Sequence, residues 1–265
     1  MNSLNKYKVL IRGAGEMASA VGVVLHRVGF SVIMTELPIP LAIRRTVCFS
    51  DAMLNGTAEV EGIQSIQADY NNYIGILSNE NIPVIEDSIE LITRIKPETY
   101  VDARLLKYTV QDRRSLAEFI VGLGPGFTVG VNCSAIIETM RGHNLGRVIW
   151  DGSASSNTGV PGKIGGESAK RVMYSPKAGN VEWLVEFGEI VNRGQVLGKI
   201  NNIEIKSHIN GIVRGLISPK VNTTKGMKIA DVDPRGKEVD YNTISDKALC
   251  VGRGVLEAIM IHLNQ

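Results

Sequence analysis

The chain has 265 residues, with 29 lysines and arginines against 27 aspartates and glutamates. The net charge of +2 has no sustained basic stripe, so nothing asks for nucleic acid. Cys48, Cys133 and Cys250 are few and widely separated, which argues against a disulfide framework or a structural zinc site and fits a reducing cytoplasm; no run of about 18 apolar residues marks a membrane span, and the short polar start carries no signal-peptide pattern.

Residues 8–12, Lys-Val-Leu-Ile-Arg, form an apolar strand candidate. It runs directly into Gly13-Ala14-Gly15-Glu16-Met17-Ala18, a G-x-G-x-x-A turn. Two glycines allow a tight turn and close backbone approach to a pyrophosphate, the small Ala18 lets helix and strand pack, and the helix start offers oriented N–H donors. Gly13, Ala14, Gly15, Glu16 and Met17 are therefore candidate cofactor-binding residues. The context supports a βαβ unit. Met17, Val21, Val24, Leu25 and Val28 share one helical face, Gly29 marks a stop, and residues 30–34 read as a buried strand. Glu36 lies 21 residues beyond Gly15, where a carboxylate accepts a hydrogen bond from a ribose hydroxyl. An ordinary solvated carboxylate at a strand end is the plainer reading.

After a Pro38-Ile39-Pro40 turn come Arg44 and Arg45, whose guanidinium forks suit phosphate or carboxylate near a helix N-terminus; a solvated helix face is the alternative. Residues 59–66 alternate polar and apolar and predict a strand or hairpin outside the central sheet. Residues 83–85, 100–103, 119–123 and 148–150 are short buried strands, Ser88 caps a helix from Ile89, and a further helix runs from near Ser134 to Arg141. Asp102 and Arg104 bracket one strand end. Gly122-Leu123-Gly124-Pro125-Gly126 follows the 119–123 strand, so Gly124 and Gly126 join the candidate ligand residues, unless the segment is a loop with turn glycines. Residues 151–159, with Asn157 as a further candidate, read as a phosphate-cradling loop, a lid or a linker.

Beyond residue 170 the texture becomes short β runs and glycines, with an internal repeat at an offset of 32. Ser175 aligns with Ser207, Gly179 with Gly211, Val181 with Val213, Leu184 with Leu216, Gly194 with Gly226 and Leu197 with Ile229. Neither copy can bury its own face, so the two interlock as a sandwich or barrel. The pattern resembles the biotinyl/lipoyl-like barrel. The tip between its halves reads Lys199-Ile200-Asn201-Asn202-Ile203-Glu204, with asparagines where a carrier lysine would stand, so the domain is read as structural or recognition-type. Asp231 and Asp233 offer two carboxylates, too few by themselves for a Mg²⁺ site, and no metal ligand is assigned. Residues 245–263 have a helical apolar period, and Gly252 and Gly254, which cost about 1 kcal/mol each in a helix interior, point to close packing against another element.

The expected fold is α/β: a Rossmann-like parallel-sheet domain at 1–170, a small β-rich biotinyl/lipoyl-like barrel at 171–240, and a C-terminal helix at 241–265 packing back on the body. The four histidines lack zinc-ligand spacing, and neither a Ser-His-Asp order nor an activated cysteine stands out, so no catalytic residue is assigned.

Six blocks in order carry a family resemblance. They are Ile11-Arg12-Gly13-Ala14-Gly15-Glu16; Thr35-Glu36 through Pro38, Pro40, Arg44 and Arg45 to Val47; Gly122 to Phe127; Ile137 to His143; Asn157-Thr158-Gly159 with Pro161; and Gly226 to Arg235. Together they resemble the selenium-dependent molybdenum hydroxylase system protein family over nearly the whole chain. The resemblance implies a cytoplasmic accessory protein that helps mature a molybdenum hydroxylase of the xanthine dehydrogenase type, with that apoenzyme as partner. The ligand implied is dinucleotide-type, molybdopterin dinucleotide or NAD. An NAD(P)-dependent oxidoreductase and a non-catalytic interaction adaptor are the alternatives, and a homo-oligomer is compatible with each.

Overall fold

The structure, a computed structural model, describes residues 3–78, 80–111, 114–157, 159, 162 and 164–265. Two compact units divide the chain. The first is Met1–Pro38, Cys48–Thr158 and Ile244–Gln265; the second is Ile39–Val47 and Gly159–Thr243.

In the first unit the order is β1 (Lys8–Arg12), α1 (Glu16–Arg27), β2 (Ser31–Glu36), α2 (Ala52–Asn55), β3 (Thr57–Val60), β4 (Ile63–Ala68), α3 (Tyr73–Ser78), β5 (Ile82–Glu86), α4 (Ile89–Ile95), β6 (Thr99–Asp102), β7 (Phe119–Leu123), β8 (Ala135–Ile137) and β9 (Val148–Ile149). One nine-stranded sheet results, ordered β3-β4-β5-β2-β1-β6-β7-β8-β9. β4 through β8 are parallel, and β3 and β9 pair antiparallel at the edges. The central strands are nearly continuous apolar runs because both faces are covered, the usual condition of a parallel sheet. The register sets Arg12 opposite Thr35 on one side and Asp102 on the other.

Two sequence expectations are corrected. The alternating segment 59–66 forms the β3–β4 hairpin, but β4 joins the main sheet through β5, so the hairpin extends that sheet, and its alternation is that of strands covered on one face. The stretch from Ser134 to Arg141 is not helical. Ala135, Ile136 and Ile137 are fully buried as β8 beside β7, a run too short for periodicity to separate strand from helix. The Ser88 cap is present, its Oγ accepting from Leu91 N at 3.0 Å.

The helix α5 (Asp246–Leu263) belongs to the first unit and packs along α1 and against β7, β8 and β9. Its glycines explain the approach. A β-carbon on Gly252 would lie 2.9 Å from Ala20 O in α1, and one on Gly254 2.2 Å from Gly146 O. Among the described residues no helix is long and apolar enough to cross a membrane.

The second unit contains β10 (Val172–Tyr174), β11 (Val181–Trp183), β12 (Ile190–Val191), β13 (Val196–Ile200), β14 (Ile203–Lys206), β15 (Gly211–Leu216) and β16 (Lys228–Asp233), in sheets ordered β10-β16-β15-β12 and β11-β13-β14. Their inward residues, including Val181, Val191, Leu197, Val213 and Ile229, form one core. The repeat is visible in the hydrogen bonds. Ser175 Oγ donates to Lys177 O and Ser207 Oγ to Ile209 O, at 2.5 and 2.6 Å. Ser175 N donates to Met227 O and Ser207 N to Gln195 O; Gly226 N donates to Ser175 O and Gly194 N to Ser207 O. Each half thus closes on the other with the same bonds. Asn201 and Asn202 form the two-residue turn of the β13–β14 hairpin, with Asn201 at φ +48°.

Candidate functional site

The carboxyl ends of the parallel strands carry most of the buried charge of the first unit. The glycine turn leaves β1 there. Gly13 has φ +99°, a conformation that favours glycine, and Gly13 N donates to Thr35 O. Gly15 differs. Its φ of −73° suits any residue, and a β-carbon there would meet nothing within 4 Å. Gly15 is the N-cap of α1, and among the described residues no side-chain hydrogen bond caps the helix there, so its start presents the positive end of the helix dipole.

Glu36 ends β2 and reaches back to the turn. Oε2 accepts from Ala14 N and Oε1 from Leu37 N, both at 2.8 Å. Burial raises its pKa above the ordinary carboxylate value, while those two N–H donors act the other way. Ala14 and Met17 are buried, and Glu16 turns toward α5, where Oε1 accepts from Ser245 Oγ at 2.7 Å.

A chain of polar side chains crosses the strand ends beneath the turn. Arg12 donates through Nε and Nη2 to Asp87, just past β5, with Nη2–Oδ2 at 2.7 Å; Thr35 Oγ1 donates to the same carboxylate. On the β6 side Tyr100 OH donates to the fully buried Asp102 at 3.2 Å, and Arg104 holds Asp102 through Nε and Nη2. Burial raises the Tyr100 pKa, with Asp102 adding to it, so the phenol is a fixed donor. Asp87 and Tyr100 escape sequence reading, since an acid one residue past a strand and a core tyrosine give no local signal. Asp102 and Arg104 are marked only as flanking a strand end.

A second group of charges surrounds the start of α5. Lys247, half-buried, has a pKa lowered by burial and by Arg141, against the opposing influence of Glu16, Glu138 and Asp246. Although burial alone would raise it, Glu138 is held below the ordinary range by N–H donors from Met140 and Ser155 at 2.7 and 2.8 Å. Neither residue is visible as a site in the sequence.

The remaining candidates are dispersed. Gly124, at φ +85°, donates to Ile137 O, with Thr139 Oγ1 at 3.0 Å from its missing β-carbon. Gly126 is accounted for by packing, since a β-carbon would lie 2.7 Å from Tyr108 O. Asn157 is exposed after β9, and Thr158 and Pro161 of the same block lie outside the described residues. Arg44 and Arg45 belong to the second unit. Arg44 is buried there and donates to Tyr241 O and Thr243 O, a structural use of the guanidinium, while Arg45 is half-buried in the following turn.

Asp231 and Asp233 are neutralised by arginines. Arg171 and Arg214 hold Asp231 at 2.6 and 3.0 Å, and Arg214 and Arg235 hold Asp233 at 2.9 Å each. Among the described residues no group of three or more His, Cys, Asp or Glu is placed to hold a metal. Burial pushes the Cys133 thiol up to about 12, the reverse of a reactive cysteine.

No family profile matches the chain. It is 43% identical over 259 residues to "Uncharacterized protein YqeB" of Escherichia coli (strain K12), covering 97% of this chain and 48% of that protein; the chain thus spans about half the length of this curated relative. Among solved structures, E. coli tRNA N6-threonylcarbamoyladenosine dehydratase, TcdA, in complex with AMP, aligns at TM-score 0.34 and 9% identity, over 99% of this chain and 89% of its own. Succinylglutamate desuccinylase/aspartoacylase from Rhodobacter sphaeroides aligns at TM-score 0.23 and 26% identity, over 25% of this chain and 22% of its own. Scores this low assign neither fold nor function.

Proposed function

The chain belongs to the family of E. coli YqeB, and from that premise we propose that it is a cytoplasmic accessory protein for a selenium-dependent molybdenum hydroxylase, binding a dinucleotide-type ligand such as molybdopterin dinucleotide. The supporting observation is Gly15. Neither its φ nor any protein atom within 4 Å requires glycine, yet it heads an uncapped helix beside the reaching carboxylate of Glu36. A glycine that the fold does not need is explained by a ligand approaching its backbone.

The strand order supports the same reading. With the β3–β4 hairpin and β9 set aside, β5-β2-β1-β6-β7-β8 follows the 3-2-1-4-5-6 pattern of doubly wound dinucleotide-binding sheets, whose ligands sit where strand order reverses, here between β1 and β6. The second unit, with its reciprocal repeat and its asparagine hairpin tip, serves as a biotinyl/lipoyl-like recognition module without a carrier lysine. A nicotinamide dinucleotide is the second reading, favoured by the place of Glu36 at the end of β2.

Mass spectrometry of the ligand retained after native purification tests the binding. A pterin dinucleotide is expected, and a nicotinamide instead would promote the oxidoreductase. In cells lacking the protein, the partner hydroxylase should be present but short of activity, molybdenum and pterin. Normal cofactor content there would sink the accessory role.

A further inference from the structure

Arg104 is placed as no purely structural arginine needs to be. Nε and Nη2 grip Asp102, which is fully buried and also accepts from the Tyr100 hydroxyl, so the guanidinium plane is set by buried groups. The arginine itself remains partly exposed, at 27% of its side chain. It lies against the glycine turn: a β-carbon on Gly13 would sit 3.8 Å from Arg104 Cγ and 3.6 Å from Ala103 O. The fork is thus on the β6 side of the crevice, and the α1 N-terminus is on the β1 side.

Two buried donors at the same turn are unspent. Arg12 is buried, and among the described residues its Nη1 has no hydrogen-bond partner. Ser50 is wholly buried and its Oγ finds no partner, while its backbone N donates to Ala14 O in the turn. The protein would ordinarily satisfy such groups. Buried donors left over beside the glycine turn match an anion.

We propose that Arg104 is the side-chain ligand of the ligand's diphosphate, its third nitrogen, Nη1, donating to a phosphoryl oxygen that the α1 N-terminus holds from the other side. This rests on the dinucleotide reading above and adds to it the group recognised and the residue that recognises it. Asp102 and Tyr100 are positioning residues: they fix the fork and touch no ligand. The arrangement recognises a nucleoside diphosphate moiety and discriminates against the bare nucleoside. A charge-assisted bond of this kind is among the stronger ones a protein makes to an anion.

Calorimetric titration with ADP and CDP, and with adenosine and cytidine, tests it on the full chain. Arg104→Gln should weaken the diphosphates roughly tenfold or more while leaving nucleoside affinity nearly unchanged, and should lower the thermal midpoint because the buried Asp102 loses its charged partner. Arg104→Lys, which keeps the charge but loses the fork, should fall between, and carries the test if the glutamine variant does not fold. Asp102→Asn should reproduce part of the loss. Unchanged diphosphate affinity in both Arg104 variants would overturn the assignment, and so would an equal loss for nucleoside and diphosphate. If the wild-type chain binds neither ADP nor CDP, the dinucleotide reading itself fails, which is a different result from wild-type binding that ignores Arg104.

Discussion

Gly252 of α5 faces Ala20 of α1 so closely that a β-carbon on the glycine would lie 2.9 Å from the alanine carbonyl oxygen. In an exposed helix, replacing glycine by alanine is favourable by about 1 kcal/mol. Here the added methyl must push two helices apart, which costs about 1–3 kcal/mol. Gly252→Ala is therefore expected to lower the urea midpoint, and Gly254→Ala, with only 2.2 Å to Gly146 O, to lower it further. A stabilised Gly252→Ala chain would show that the helices are not in this contact.

Arg12 and Asp87 form a pair shielded from water, with side chains 10% and 16% exposed. Removing one partner from such a pair leaves a buried charge and costs roughly 3–5 kcal/mol. Asp87→Ala is expected to lose about that much stability, with Thr35 Oγ1 losing its acceptor as well. Combining it with Arg12→Met should recover a large part of the loss. A double-mutant cycle with no coupling would contradict the pair.

Gly15→Val separates ligand from fold. With φ −73° and nothing within 4 Å of the added carbon, the change should cost no more than about 1 kcal/mol, the scale of an N-cap substitution. The second unit should stay folded, and binding of a diphosphate-containing ligand should vanish. Calorimetry together with thermal melting checks both halves, and equal affinity in the two chains would remove the site from this turn.

Glu36 gives the fold a pH signature. Its folded pKa is raised above the ordinary carboxylate value, so its favourable contribution is present below the unfolded pKa and is lost as pH rises through the folded one. Glu36→Gln has no such titration. The melting temperature of the glutamine chain minus that of the wild type should therefore grow as pH rises from about 4 toward 7. A flat or falling difference would mean that burial does not dominate at this carboxylate.

Much of the first unit was legible because β1, α1 and β2 carry independent signals: an apolar run, a period of 3.6 with its glycine stop, and a turn with special backbone. The β8 segment was not, because three buried residues hold no period. The repeat of Ser175 and Ser207 was read from side-chain identity and reappears as matched hydrogen bonds. At the site, the turn and Glu36 were visible as a pattern. The network of Asp87, Tyr100 and Asp102 was not, since strand order brings together residues with no sequence spacing in common. The reading of Arg44 rested on residue type, its place after the Pro38-Ile39-Pro40 turn and the family block, none of which says which of its groups also bond the backbone.

The pairing of α1 with α5 also sets an order of assembly. The glycine turn and its helix leave the ribosome before α5, yet the face of that helix that α5 covers has no cover until residues past 246 have left it. The second unit's core closes with residues 39–47 and 159–243 alone. During synthesis the flank of α1 that meets α5 is thus exposed until α5 emerges, and a chain cut short before residue 246 leaves that flank uncovered.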